Sequence, residues 1–223
     1  NPTQFGPNED LSRYPRDEVA DLAKARTCGI DLAYCPDVAS MYPAGAQTFI
    51  EVRELQKPLC GASRPGHFAG VATVVAKLFH ATKPHLAVFG EKDYQQLAII
   101  RRMVRDLDFD VEIASVPTIR EADGLALSSR NMYLTAEQRA AALSLSKGLA
   151  AAEAVVKAGE RSAANILAAA RAPIEAESLA RIDYLELRDA DELTAIDTMT
   201  KRAVLAMAVF VGNTRLIDNR VLG

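Results

Sequence analysis

No apolar run in this 223-residue sequence approaches the roughly 20 residues that a membrane-spanning helix needs. No signal-peptide pattern is visible. Charge of one sign is scarce as well: 26 Lys and Arg stand against 29 Asp and Glu, a net charge of −3, and the pI is about 5.7. A chain with no basic surplus lacks the electrostatic footprint that nucleic acid or an anionic membrane would demand. Cysteine is sparse, and Cys28, Cys35 and Cys60 are an odd number at no recognised metal spacing. That argues against a disulfide framework or a structural zinc and for reduced thiols in a cytoplasmic protein. Neither GxxxxGK[ST] nor GxGxxG occurs, so two familiar phosphate-binding loops are excluded. There is no internal repeat and no low-complexity linker. The Ala-rich tract at 140–172 comes nearest, and it reads as helix packing through small side chains. What remains is a globular composition, 49% hydrophobic and 25% charged, long enough for one large domain or two small ones.

The first half alternates short apolar stretches with amphipathic ones. "DEVADLAKART" (Asp17 to Thr27) predicts a helix, and "IDLAYCP" and "TFIEV" (Thr48 to Val52) predict strands. "FAGVATVVAKLFHATKP" predicts a helix with Val71, Val74, Val75 and Leu78 on its inner face, ended by Pro84. "HLAVFGEKDYQQLAII" (His85 to Ile100) then reads as a buried strand handing over to a helix, and "FDVEIASVP" (Phe109 to Pro117) as another strand. Such alternation predicts a parallel sheet covered on both faces. The second half differs. Thr135 and Gln138 form a capping-box pattern ahead of a helix to about Gly159, and a second helix covers about 162–179. "RIDYLEL", "RAVLAMAVFV" and "TRLIDN" follow as strands, the last two joined at Gly212-Asn213. The fold class expected is therefore α/β, with a parallel-sheet domain over residues 1–118 and a smaller α+β domain over 119–223.

Three charges at the handover, Glu91, Lys92 and Asp93, pose the functional question. Ligands of open α/β sheets bind beyond the carboxyl ends of the strands. Gly90 there would let a ligand approach the backbone, and the next helix offers free N–H groups to an anion. Lys92 suits a phosphate, while Asp93 and Gln96 project from one side of the first turn. The plainer alternative is an ordinary helix start capped by Asp93 with Lys92 in solvent. "SRPGHFAGV" sets Arg64 and His67 about Pro65-Gly66; such an arginine can clamp a carboxylate or phosphate. In "ADGLALSSRNMYL", Ser128, Ser129 and Arg130 together complement phosphate oxygens, or else simply cap the next helix. "NPTQF" offers the amides of Asn1 and Gln4, with Tyr14 and Arg16 close behind.

Taken together, "NPTQF", "MYP", "SRPGHFAGV", "FGEKDYQQL", "VPTIREADGLALSSRN" and "RLIDN" closely resemble the pantothenate synthetases, or pantoate–β-alanine ligases, in family order from Asn1 to Asn219. The resemblance implies a cytoplasmic homodimer with a Rossmann-like nucleotidyltransferase domain and a smaller carboxyl-terminal domain closing over the nucleotide. It implies that D-pantoate is joined to β-alanine through a pantoyl adenylate, with ATP and Mg²⁺ consumed and AMP and pyrophosphate released. Carried over by motif, Gln4 and Gln96 resemble pantoate ligands, with Asn1, Tyr14, Arg64 and His67 on the substrate side. Gly90, Glu91, Lys92 and Asp93 resemble the nucleotide-binding strand end, with Glu91 mainly structural. Ile119 and Leu127 fall at nucleotide contacts, and Ser128, Ser129 and Arg130 would hold the triphosphate opposite Lys92, these four carrying the catalysis. The family also has a strand and glycine-rich turn with a His-x-Gly-His motif, which would precede Asn1. None of His67, His80 and His85 forms it, and a chain without that segment is expected to expose an unpaired sheet edge and to lose activity. Two rivals stand beside the ligase: a nucleotidyltransferase that keeps its adenylylated product, and a fragment that binds nucleotide or dimerises without chemistry.

Overall fold

The computed structural model describes residues 1–6, 10–12 and 14–223. Asp17 opens the first helix by accepting from the Ala20 N–H at 2.9 Å, and α1 runs Glu18–Thr27. A single turn, α2 (Val38–Met41), starts the same way beneath Asp37. The backbone N–H of Ser40 holds the Asp37 carboxyl below its ordinary range. The two strands expected around these helices do not form. "IDLAYCP" and "TFIEV" are irregular, and among the described residues neither pairs with a strand. Ile30, Leu32, Tyr34 and Phe49 are all exposed. Apolar alternation makes a strand only where a neighbour completes the hydrogen-bond ladder.

Past the short helix α3 (Cys60–Ser63), α4 (His67–Thr82) is the first well-buried element. Its inner face is Phe68, Val71, Ala72, Val75, Ala76 and Phe79, and Val74 and Leu78 sit at the margin. The alanines belong to the contact because they allow close approach, so the face is rotated from the one the larger side chains predict. Lys83, in the left-handed region at φ 46°, ends the helix ahead of Pro84. β1 (Leu86–Gly90), a 3₁₀ turn (Glu91–Asp93), α5 (Tyr94–Asp106) and β2 (Glu112–Val116) follow. β1 and β2 are parallel, paired from Leu86 opposite Glu112 to Gly90 opposite Val116. β1 is not the fully buried strand expected. Ala87 and Phe89 face the core, whereas Leu86 and Val88 are more than half exposed.

In the second half the expected elements form. The Thr135–Gln138 capping box is made in both directions at the head of α6 (Ala136–Lys157), and α7 (Ala163–Glu175) packs against it. The helices meet where Gly148 lies so near α7 that an added Cβ would come within 2.6 Å of the Ala170 carbonyl. Gly148→Ala is expected to destabilise the protein by about 1–3 kcal/mol in urea denaturation through overpacking, despite alanine's better helix propensity. No loss of stability would show that α6 and α7 can separate at no cost.

β3 (Ala180–Asp189), β4 (Ala203–Val211) and β5 (Thr214–Leu222) form an antiparallel sheet with β4 central. β4 reads as an unbroken apolar run because both its faces are covered. Ala203, Leu205, Met207, Val209 and Val211 join the core under α6 and α7, while Val204 and Ala206 join the core of α4 and α5. Tyr94 reinforces the junction by donating to the Ala190 carbonyl at 2.8 Å. The fold is thus α/β, a parallel pair with its helices beside a separate antiparallel sheet.

Candidate active site

A cleft of about 700 Å³ lies between the parallel strand ends and the antiparallel sheet. Its position follows from the chain's local behaviour. β1 stops at Gly90, the 3₁₀ turn tilts the chain, and α5 starts with its first residues facing the opening. Lys92, Asp93 and Gln96 line this side. The plainer alternative for the segment fails at one point, because Asp93 makes no side-chain cap to α5. Among the described residues, no hydrogen bond or ion pair engages the side chains of Lys92, Asp93 or Gln96. Glu91 turns away and accepts from the Ser115 hydroxyl at 2.8 Å. Gly90 has an ordinary extended backbone, φ −78°, so no left-handed turn requires glycine there. The space where its Cβ would sit is open. Gln95, one residue before Gln96, is buried and structural: its amide donates to the carbonyls of Leu55 and Pro58 and accepts from the Cys60 N–H.

Ser128 and Arg130 line the same cleft. The Ser128 hydroxyl also accepts from the Arg130 N–H at 3.3 Å, so it caps the 3₁₀ turn Ser129–Tyr133, whereas the long helix that follows is capped by Thr135. Ser129 lies outside the cleft wall and donates to the Tyr14 hydroxyl at 3.2 Å, while the Arg130 guanidinium sits 5.5 Å from the Tyr14 ring centre. Tyr14 therefore meets Ser129 and Arg130 from the first half of the chain. Ile119 and Leu127 are exposed at 62% and 56%, joined by a backbone hydrogen bond of 2.8 Å.

Arg64 and His67 also line the cleft. His67 Nε2 faces Arg64 Nη1 at 3.1 Å, and Nδ1 faces the Gln4 carbonyl at 2.7 Å. The donor and acceptor roles of the two ring nitrogens follow the imidazole's tautomer. Asn1 and Gln4 lie outside the cleft wall. Asn1 donates to Gln4 Oε1 and accepts from Tyr42, and the segment rests on α4 where a Cβ at Gly70 would come 2.3 Å from the Thr3 carbonyl.

Sequence reasoning assigned nothing to the inner floor. There Arg215 of β5 pairs with Asp183 of β3 at 2.8 Å and lies 3.7 Å from the Cys60 sulphur, while Tyr184 contacts the same sulphur at 3.3 Å. Burial pushes the Tyr184 phenol well above its ordinary value, so it stays protonated. A second group, Arg120, Asp218 and Asn219, ties the loop after β2 to β5. Arg120 grips Asp218 with two bonds of 2.7 and 2.9 Å, which raise the arginine further above its ordinary range. The advance signals for this group were the motifs "VPTIREADGLALSSRN", which holds Arg120, and "RLIDN", which holds Asp218 and Asn219.

Comparisons with known proteins bear on what the cleft does. A family model described as Pantoate-beta-alanine ligase matches residues 1–221. The pantothenate synthetase of Moorella thermoacetica is 56% identical over 222 residues, covering 100% of this chain and 78% of that protein. That of Syntrophobacter fumaroxidans is 57% identical over the same coverage. Among solved structures, a pantothenate synthetase from Thermus thermophilus has a TM-score of 0.95 at 48% identity, covering 99% of this chain and 80% of that one. The pantoate-beta-alanine ligase of Francisella tularensis, complexed with beta-gamma ATP and beta-alanine, has a TM-score of 0.75 at 32% identity, covering 99% and 76%.

Proposed function

The chain belongs to the pantoate–β-alanine ligase family, and on that premise we propose how its cleft performs the ligation. The reaction joins pantoate to β-alanine with ATP as co-substrate. A carboxylate does not acylate an amine at neutral pH, because oxide is too poor a leaving group. The pantoate carboxylate therefore attacks the α-phosphorus of ATP, giving pantoyl adenylate and pyrophosphate. The β-alanine amine then attacks the acyl carbon, and AMP departs with the electrons of the broken C–O bond. Both steps gather negative charge on phosphate or carbonyl oxygens, so fixed cations and donors supply the catalysis. No side-chain nucleophile is needed.

The observation that carries this reading is that Lys92, Ser128 and Arg130, distant in sequence, line one cleft. In the assignment, Lys92 and Arg130 contact the phosphates, Ser128 and Ser129 add hydroxyl donors, and the exposed Ile119 and Leu127 offer apolar surface to the nucleoside. Gln96 and Gln4 bind pantoate, with Arg64 and His67 in the same cleft and Asn1 and Tyr14 supporting them. The cleft volume lies within the ordinary range for a ligand of nucleotide size, about 300–1,000 Å³.

Mg²⁺ fits as a companion of the nucleotide. No group of three or more metal-ligating side chains exists among the described residues, and magnesium is commonly held by one or two carboxylates plus phosphates. Among the described residues, Asp93 is the cleft carboxylate not engaged in an ion pair, unlike Asp183 and Asp218. The ion would offset charge on the departing pyrophosphate. We also place the protein in the cytoplasm as a homodimer with a domain boundary near Thr118. A monomeric mass by light scattering would overturn the dimer, and failure of residues 119–223 to unfold as a separate unit would overturn the boundary.

The experiment that tests the activity follows both products. Pyrophosphate should form with pantoate and ATP alone, and AMP only once β-alanine is added. AMP withheld in the presence of β-alanine would favour a nucleotidyltransferase, and no pyrophosphate a non-catalytic fragment. Gln96→Ala is expected to raise the KM for pantoate about tenfold while changing that for ATP less than about twofold. Equal weakening of both would move the acid pocket elsewhere.

A further inference from the structure

Asn219 is buried in β5, 127 residues from the turn it touches. Its carboxamide donates to two consecutive carbonyls of that turn, Glu91 at 3.0 Å and Lys92 at 2.8 Å. The turn has little else to hold it. Gly90 imposes no special backbone conformation, Asp93 does not cap α5, and the Lys92 side chain has no partner among the described residues. Glu91 reaches Ser115, but that contact fixes a side chain, not the carbonyls that set the direction of Lys92. Strand alternation explains how β5 does two things at once. Asp218 and Asn219 are adjacent, so they point to opposite faces of the sheet. Asp218 is gripped by Arg120, which also donates to the Gly124 carbonyl, in the loop just ahead of Ser128. The Asn219 N–H in turn donates to Asp218 Oδ1 at 2.8 Å.

We propose that Asn219 is a positioning residue for the ligation: it sets the turn that aims Lys92 and, through Asp218 and Arg120, registers that turn against the loop leading to Ser128 and Arg130. The proposal rests on the reading of Lys92 as a phosphate contact. One strand end thereby holds the two nucleotide-contacting segments of the cleft in a single relation. Two carbonyl oxygens receiving two amide protons is a geometry that no acidic or aliphatic side chain reproduces.

The test is a double-mutant cycle in the full chain, read by pantoate-dependent ATP–pyrophosphate exchange at saturating substrate. Asn219→Ala is expected to lower the rate about 10- to 100-fold, and less than about threefold when Lys92 is already alanine. A residue that merely stabilised the fold would lower the rate by the same factor in both backgrounds. Asn219→Asp, of nearly the same shape but without the donors, is run in the same cycle, so a failure of the alanine variant to fold does not decide the matter. Equal losses in both backgrounds, with Lys92→Ala itself impaired, would overturn the role of Asn219 alone. A near-native rate for Lys92→Ala would overturn the reading of Lys92 and this proposal with it.

Discussion

Lys92→Ala is expected to slow pantoyl-adenylate formation about 10²-fold, roughly 3 kcal/mol of transition-state stabilisation, comparable with losing one fixed oxyanion donor. The variant separates catalysis from stability unusually well. Among the described residues the ammonium has no partner, so its removal leaves no buried group unsatisfied, and thermal unfolding should be nearly unchanged. The turn's backbone is held from β5 rather than by the lysine itself, so the alanine variant should keep the cleft's shape. The charge is needed most when the pyrophosphate oxygens gain electron density, which places the loss mainly in kcat. ATP–pyrophosphate exchange with pantoate measures it directly. A rate within about threefold of the unaltered protein would remove Lys92 from the chemistry.

Much of this site could be read in the sequence because it is local. The run Gly90 to Gln96 carries its strand end, its charges and its helix start in one short stretch, and the folded chain keeps Lys92, Asp93 and Gln96 together at one wall of the cleft. Ser128 and Arg130 are equally local, and only their sharing one cleft with Lys92 required the fold. The floor was illegible for the opposite reason. Asp218 and Arg120 are 98 residues apart, and Cys60 and Tyr184 are 124 apart. Nothing in the immediate neighbourhood of any of them distinguishes a buried pair from a solvated one.

The same distinction runs through the fold. Capping boxes and hairpin glycines act over a few residues, and α6 and the β4–β5 turn form where the sequence puts them. The stretches at 30–36 and 48–52 have strand-like composition, but a strand is a pairing and no partner meets them among the described residues. In α4 the periodicity was right and the face was right in part: Val71 and Val75 are buried as expected, while Ala72 and Ala76 are contact positions that hydrophobic size alone undervalues. β4 shows the converse. Its unbroken apolar run is ambiguous by pattern, and two cores, one on each face, account for it.

Arg120→Ala is expected to have the largest effect on stability, about 3–5 kcal/mol, the usual consequence of breaking a buried ion pair from one side. The Asp218 side chain is only 2% exposed, while that of Arg120 is 23% exposed. Removing the arginine therefore strands the more deeply buried charge. Two of the donors to that carboxylate come from Arg120, and the Asn219 N–H would be left to satisfy it. The reciprocal change, Asp218→Ala, leaves a guanidinium that can still reach water and should cost less. Removing both partners should restore part of the loss, because no unpaired charge then remains inside. Urea denaturation of the three variants gives the comparison. A cost below about 1 kcal/mol for Arg120→Ala would mean the pair behaves as a surface ion pair despite its burial. Activity supplies an independent readout, since Asp218 steadies the strand end from which Asn219 holds the Lys92 turn. Under conditions where the Arg120→Ala protein is still folded, adenylate formation should fall more steeply than the folded fraction does.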